Sequence, residues 1–328
     1  MEADTIQACI IKKTQLSPRV VGLTLSAVDG NDLPQWEPGA HIELTLDISE
    51  GASEDDEKCY RQYSLCGNLK DLKTWEIAVL KEDASRGGSK YIHEGLNEGD
   101  VITVSMPKNH FPFKGGAFCQ FIAGGIGITP LYAMIEHAKD MGLDWHLLYL
   151  ARSNEDFIFL DKIKSIDPKR VTIHASSEQG QFQLETQLNN LPQNAIVYSC
   201  GPQGLLDALE QMHQLQSDPK WNLMFERFKV DAPVFDENKD KPITVTLSRS
   251  NKTIEVPADE SILEALRKEG IRIKCSCRNG TCGTCETDVI SGIPDHRDHV
   301  LSDDEREANE TMMICVSRAL SDELVLDI

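Results

Sequence analysis

The 328-residue sequence predicts a multidomain architecture: an antiparallel β-barrel, then an α/β domain built on a parallel sheet, then a small β-grasp unit. Three observations predict it. Residues 1–112 carry short apolar or alternating runs broken by Gly, Pro and Asp; residues 118–228 alternate between strand and helix periods; and a ββα pattern after residue 241 runs into a cysteine-rich loop. A chain of this length exceeds one ordinary core.

In the first segment the runs at 20–25, 41–46 and 75–80 have strand composition, while the N-terminal residues 1–15 read as polar and charged. In the second, the runs at 120–123, 145–150, 171–174 and 195–199 look like parallel strands buried on both faces. Between the first two, Leu131, Met134, Ile135 and Ala138 recur at helical spacing, as do Leu205, Leu209 and Met212 after the last. Residues 229–240, rich in charge and carrying Pro233, form an expected linker. Beyond it, Ile243, Val245 and Leu247 alternate, a polar turn follows, and Ile254 and Val256 alternate again as a hairpin. A helix over 261–269, stopped by Gly270, completes the unit. The expected domains are 1–112, 113–228 and 241–328.

A formal net charge of -20, spread over the whole chain, repels phosphate and so argues against nucleic acid and anionic membrane surfaces. No run approaches the roughly 20 apolar residues of a membrane helix, and no apolar leader stands at the N-terminus; a cytoplasmic location is expected. Of the ten cysteines, four fall between Cys275 and Cys285, which points to a metal site in a reducing compartment rather than a disulfide framework.

Within that loop Cys277, Cys282 and Cys285 have the spacing C-x4-C-x2-C, and Cys315 follows downstream, the plant-type arrangement for a [2Fe-2S] cluster. Three thiolates from one loop must wrap a bimetallic core, so Gly280 and Gly283 give the backbone room to curl and aim amides at sulfur. A structural zinc site is the alternative, but zinc more often uses two short C-x2-4-C knuckles. Cys275 falls outside the spacing and reads as a small packed residue.

R-Q-Y-S-L at 61–65 offers an Arg for a phosphate, a Tyr to lie along an isoalloxazine and a Ser to bond flavin N5. By itself it equally fits a surface strand. I-A-V-L-K-E at 77–82 and R-G-G-S at 86–89, whose glycines can open a helix as an anion nest, turn the balance toward FMN. A-G-G-I-G-I-T-P at 123–130 follows a strand and opens a helix, with Gly124, Gly125 and Gly127 letting backbone approach a dinucleotide. It lacks the full Rossmann fingerprint, since Pro130 takes the third glycine's place. C-G-P-Q-G at 200–204 supplies a second loop, with Gly201 and Pro202, at the same sheet edge. The acidic Glu155, Asp156 and Glu178 nearby disfavour a 2'-phosphate, so NADH is expected over NADPH.

With these motifs, together with F-E-R-F at 225–228 and D-H-R-D at 295–298, the chain resembles the phthalate dioxygenase reductase family over essentially its whole length. The resemblance implies an antiparallel β-barrel flavin domain, an α/β nucleotide-binding domain with a parallel sheet, and a β-grasp ferredoxin domain. It implies FMN bound by Arg61, Tyr63, Ser64, Lys81, Gly87, Gly88, Ser89 and Thr129, Phe228 packed where nicotinamide must lie, and Cys200 near the nicotinamide; Ser64, Cys200 and Phe228 are the catalytic candidates. It implies a separate Rieske-type oxygenase that takes the electrons. Departures are the acidic run at 54–57 and Lys229. The competing reading is an NADH-responsive redox-sensing subunit without turnover of its own, disfavoured because both halves of a nicotinamide site are present.

Overall fold

In a computed structural model the chain is described at residues 5–48, 59–83, 87–216, 219–229, 235–236 and 240–328. The acidic run at 54–57, Arg86 and much of the expected linker lie outside these. Two compact units form, Met1–Phe228 and Lys229–Ile328.

The first unit begins with six strands, β1 (Thr5–Ser17), β2 (Val20–Ala27), β3 (His41–Leu46), β4 (Cys59–Ser64), β5 (Trp75–Leu80) and β6 (Val101–Ser105), with the short helix α1 (Gly88–Glu94) between the last two. Their order, β4-β3-β6-β1-β2-β5, is antiparallel throughout, and a bridge from Leu65 to Ile77 draws the two edges together as a barrel. Alternate residues such as Ile10, Leu23, Leu25, Ile42, Leu44 and Trp75 fill its interior. Each such side chain contributes roughly 1.5–3 kcal/mol of burial. The 13-residue β1 departs from the polar N-terminus expected above. Register shifts between Ile10 and Lys12 and between Gln15 and Ser17 break its alternation, which hid it.

The same unit continues through β7 (Phe118–Gly124), α2 (Ile128–Asp140), β8 (Asp144–Ala151), α3 (Leu160–Ile166), β9 (Val171–Ala175), α4 (Ser176–Gln179), α5 (Leu184–Leu188), β10 (Ala195–Cys200), α6 (Gln203–Gln214) and β11 (Trp221–Glu226). All five strands are parallel in the order β11-β10-β7-β8-β9. The chain winds outward in both directions from β7, so a crevice opens between the carboxyl ends of β7 and β10. The expected helical stripe Leu131, Met134, Ile135 and Ala138 is fully buried.

The second unit holds β12 (Ile243–Leu247), β13 (Lys252–Val256), α7 (Ile262–Lys268), β14 (Glu286–Ser291), β15 (Pro294–Asp295), α8 (Asp303–Ala308), β16 (Thr311–Met313), β17 (Arg318–Ala319) and β18 (Glu323–Leu326). The sheet β13-β12-β18-β14-β16 packs on α7, which buries Ile262, Leu263 and Leu266, and β15 pairs with β17. Ser261 caps α7 by accepting the Glu264 amide at 3.1 Å, and Gly270 ends it at φ 73°. The fold is thus an antiparallel barrel, a parallel α/β sheet and a β-grasp unit. Among the described residues no helix is long and apolar enough to cross a membrane.

Candidate functional site

At the barrel, β3 and β4 set Tyr63 opposite Ile42 and Arg61 opposite Leu44, on the face that packs toward the barrel core. Arg61 lies against the start of α1 so closely that a Cβ on Gly88 would stand 2.6 Å from its Nε. Gly87, at φ 94°, makes the turn into that helix, and Ser89 is buried behind it. Guanidinium and helix start therefore form one cradle of the kind that suits a phosphate. Burial pushes the Tyr63 phenol above its ordinary pKa, so it stays neutral. Ser64 is 5% exposed, and its Oγ has no hydrogen-bond partner among the described residues, a buried hydroxyl that suits a bonding cofactor. Lys81 is placed differently: its ammonium pairs with Glu94 at 2.8 Å, at the far end of α1 from Gly87 and Gly88.

At the α/β crevice the two glycine loops meet through their backbones. A Cβ on Gly127 would stand 2.1 Å from the Cys200 carbonyl oxygen, and one on Gly201 would stand 2.9 Å from Gly124 Cα. A Cβ on Gly124 would meet Pro202 Cδ at 2.5 Å. Gly125, at φ 54°, turns the chain from β7 into α2. Thr129 is buried and its hydroxyl donates to the Ile126 carbonyl at 3.0 Å, fixing that turn.

Cys200 is fully buried, and burial raises its thiol well above its ordinary pKa, with Glu226 adding to the rise. It is a neutral packing surface here, not a thiolate nucleophile. Phe228, just beyond β11, is 40% exposed.

In the second unit the cysteine loop joins α7 to β14. Asn279 and Thr281 donate backbone amides to Cys277 Sγ at 3.5 and 3.4 Å, and Cys277 donates its own to Cys282 Sγ at 3.4 Å. Arg278 (φ 60°), Gly280 (φ 71°) and Gly283 (φ 69°) supply the left-handed turns that curl it. A Cβ on Gly280 would strike Val316 Cγ2 at 2.7 Å. Cys282, Cys285 and Cys315 are buried.

Hydrogen-bond neighbours run Cys282, Cys277, Cys315, Cys285, holding the Cys277 thiol far below its ordinary pKa and pushing Cys282 and Cys315 up. Four crowded thiols amid donating amides fit a cluster held by four thiolates. Among the described residues no three His, Cys, Asp or Glu side chains are set to hold one metal ion. Cys275 lies aside, its Sγ accepting from Arg267 Nη2 at 3.0 Å. His299 donates its amide to Gly280 O at 2.8 Å, and the buried Asp298 accepts the Val300 and Leu301 amides, so the 295–299 segment buttresses the loop.

Two further residues gain meaning only from strand pairing. Glu226 stands opposite Cys200 across β10 and β11, and His41 stands opposite Ser64 across β3 and β4.

An NAD-binding oxidoreductase with an iron-sulfur module is the class this fold and site define. The oxidoreductase NAD-binding domain model matches residues 121–211, and the 2Fe-2S iron-sulfur cluster binding domain model matches residues 245–320. The chain is 36% identical to a carnitine monooxygenase reductase subunit of Acinetobacter pittii over 96% of this chain and 99% of that one. A solved phthalate dioxygenase reductase, described as a modular structure for electron transfer from pyridine nucleotides to [2Fe-2S], superposes with TM-score 0.68 at 35% identity, covering 99% of this chain and 98% of that one. An intact type IV self-sufficient cytochrome P450 monooxygenase superposes with TM-score 0.86 at 34% identity, covering 99% of this chain, which spans only 41% of that longer one. The chain belongs to the phthalate dioxygenase reductase family, and its cofactors are FMN, NADH and a [2Fe-2S] cluster.

Proposed function

We propose that this protein is the reductase component of a two-component oxygenase system, taking electrons from NADH and delivering them singly to a separate Rieske-type oxygenase in the cytoplasm. The observation that carries the reading is the backbone contact of Gly127 with Cys200, which brings both glycine loops to one crevice in the same unit as the Arg61–Gly88 cradle. Names of relatives such as the carnitine monooxygenase reductase subunit support the separate oxygenase.

In this reading residues 1–112 hold FMN, 113–228 hold NADH, 229–240 link, and 241–328 hold the cluster. Arg61, Gly87, Gly88 and Ser89 would seat the FMN phosphate, Tyr63 would flank the ring and Ser64 would face N5. Gly124, Gly125, Gly127, Gly201 and Pro202 would admit the dinucleotide, with Cys200 as a neutral wall and Phe228 covering the flavin until nicotinamide displaces it. Lys81 would contribute through its backbone or on release from Glu94. Cys277, Cys282, Cys285 and Cys315 would hold the cluster through their thiolates. Bound FMN takes a hydride and gives its electrons up one at a time, matching a two-electron donor to a one-electron acceptor. The protein's part is to fix distances and exclude water.

Holoprotein given NADH should bleach the flavin and cluster bands and reduce cytochrome c; full cofactor loading without turnover would instead favour the redox-sensing alternative. The partner is tested by supplying a purified Rieske-type oxygenase and following reduction of its Rieske centre by the NADH-reduced protein. The likeness to the self-sufficient P450 favours one second reading, a haem-bearing acceptor, which the same experiment separates by the Soret band.

A further inference from the structure

Arg318 is 1% exposed and carries its charge into the second unit with no carboxylate to meet it. Its Nη1 donates to the Pro257 carbonyl at 2.9 Å and to the Glu260 carbonyl, and its Nη2 donates to the Lys241 carbonyl at 2.6 Å. The guanidinium also lies over the Phe235 ring at 5.9 Å. Among the described residues no acid stands within ion-pair distance of it; the nearby Asp240 and Asp295 both clasp Arg297 instead. Burying a cation against carbonyls alone is costly, and a neutral amide would meet the same carbonyls at lower cost. The charge persists all the same: burial lowers this pKa, but a guanidinium starts far above neutrality. Arg318 stands three residues after Cys315, a stretch that spans at most ~11 Å. The Leu263 amide, in the first turn of α7 just beyond Glu260, donates to the Ile314 carbonyl at 3.1 Å. The shell of Arg318 and the turn that carries Cys315 are therefore pinned side by side.

We propose that the buried charge of Arg318 raises the reduction potential of the [2Fe-2S] cluster and so favours transfer of the electron from the flavin. The inference rests on the reading that Cys315 is one of the four ligands. A cluster held by four thiolates is anionic when oxidised and gains one further negative charge when reduced FMN supplies one electron; no bond forms or breaks. A cation fixed in the low-permittivity interior stabilises that added charge, where a water-screened surface cation would do little. At ~12 Å and an effective permittivity of ~20, one unit charge shifts such an equilibrium roughly tenfold. Arg297 does not take this part, because two carboxylates already meet its charge. That trio keeps one net negative charge, which Arg318 offsets at longer range.

The test titrates holoprotein variants against redox dyes and follows the cluster by electron paramagnetic resonance. Arg318→Gln keeps donors for the carbonyls but not the charge. Its ratio of reduced to oxidised cluster at a fixed potential should fall about tenfold, which is about 59 mV for one electron. Arg318→Lys keeps the charge and should stay within about threefold of the parent. Asp295→Asn leaves Arg297 its bond to Asp240, removes a negative charge at a partly exposed position, and should raise the ratio about threefold. Iron content and visible circular dichroism report on the folding of each variant. A parent-like ratio in an iron-replete Arg318→Gln protein would overturn the inference. Equal falls in Arg318→Gln and Arg318→Lys would overturn it too, since they make the shape of the fork responsible and not its charge. If Arg318→Gln sheds its iron, Asp295→Asn decides alone, and an unchanged or lowered ratio there overturns the inference. Cys315→Ser separates the underlying reading. Full iron and an unaltered spectrum in that variant remove Cys315 from the ligands and the inference with it; iron loss there, beside parent-like ratios in the Arg318 variants, sinks only the role of Arg318.

Discussion

Cys200 and Glu226 are neighbours across the carboxyl ends of β10 and β11, and the Glu226 Oε2 atom is buried with no hydrogen-bond partner among the described residues. Burial pushes this carboxyl up to about 8. A carboxyl that holds its proton more tightly folded than unfolded makes the native state bind more protons between the two pKa values. Stability therefore falls as pH rises from about 4.5 to about 8, and the penalty is complete above that. Glu226→Gln should remove this slope: near pH 5 the variant melts with the parent, and at about pH 8.5 it melts higher, for a gain whose ceiling is ~5 kcal/mol. Calorimetry across that range checks it; equal melting points at the alkaline end would refute the orphaned carboxyl.

Arg227, next along the chain, has a side chain only 7% exposed, bonded to Asp207 and Glu210 of α6 and stacked 5.0 Å from the Phe225 ring. It ties the end of β11, with Glu226 and the following Phe228, to the helix that the Cys200 loop opens. Removing one partner of a buried pair costs about 3–5 kcal/mol, but Asp207 is half exposed and Glu210 a third, so solvent screens much of it. Arg227→Ala should cost about 1–2 kcal/mol in urea melts of the first unit. It should also raise the KM for NADH more than it lowers kcat, because both loop and strand loosen while the chemistry is untouched.

Two glycines a short distance from Cys200 should behave oppositely. A Cβ on Gly127 would stand 2.1 Å from the Cys200 carbonyl, a backbone atom that cannot step aside, whereas Gly204 in α6 has nothing within 4 Å. Gly127→Ala should cost more than ~2 kcal/mol and weaken NADH binding at least tenfold by prising the loops apart. Gly204→Ala should leave NADH affinity alone and stabilise by up to ~1 kcal/mol through helix propensity. Melting curves and NADH titrations of both variants decide it.

How much of this was legible beforehand follows from what each signal depends on. Strands β7 to β10 and the α2 stripe are encoded in local apolar periods, and the C-x4-C-x2-C spacing is a local covalent fact, so both could be read directly. β1 could not, because its bulges put successive residues on the wrong parity. β11 was hidden for another reason: its residues are mostly half-buried at a sheet edge, which blurs the apolar run. His41, Glu226 and the Lys81–Glu94 pair became visible only through strand pairing and helix docking, since each draws its meaning from a residue far off in sequence.

The cysteines allow the sharpest contrast between spacing and packing. Cys275 lies two residues from Cys277, yet its Sγ is engaged by Arg267 of α7, whereas Cys277 Sγ receives the Asn279 and Thr281 amides. The Cys282 and Cys315 thiols, with the Asn279 amide behind them, stabilise negative charge on Cys277, while the Arg267 contact turns Cys275 toward the helix and out of the chain of thiol neighbours. Cys275→Ser should therefore keep the full visible absorption and circular dichroism of the cluster and two irons per chain, with a stability change under ~1 kcal/mol. Cys282→Ser should lose most of the iron, because an alcohol is a weak ligand for it. A bleached Cys275→Ser protein would make that residue a ligand and reverse the assignment drawn from the loop's geometry.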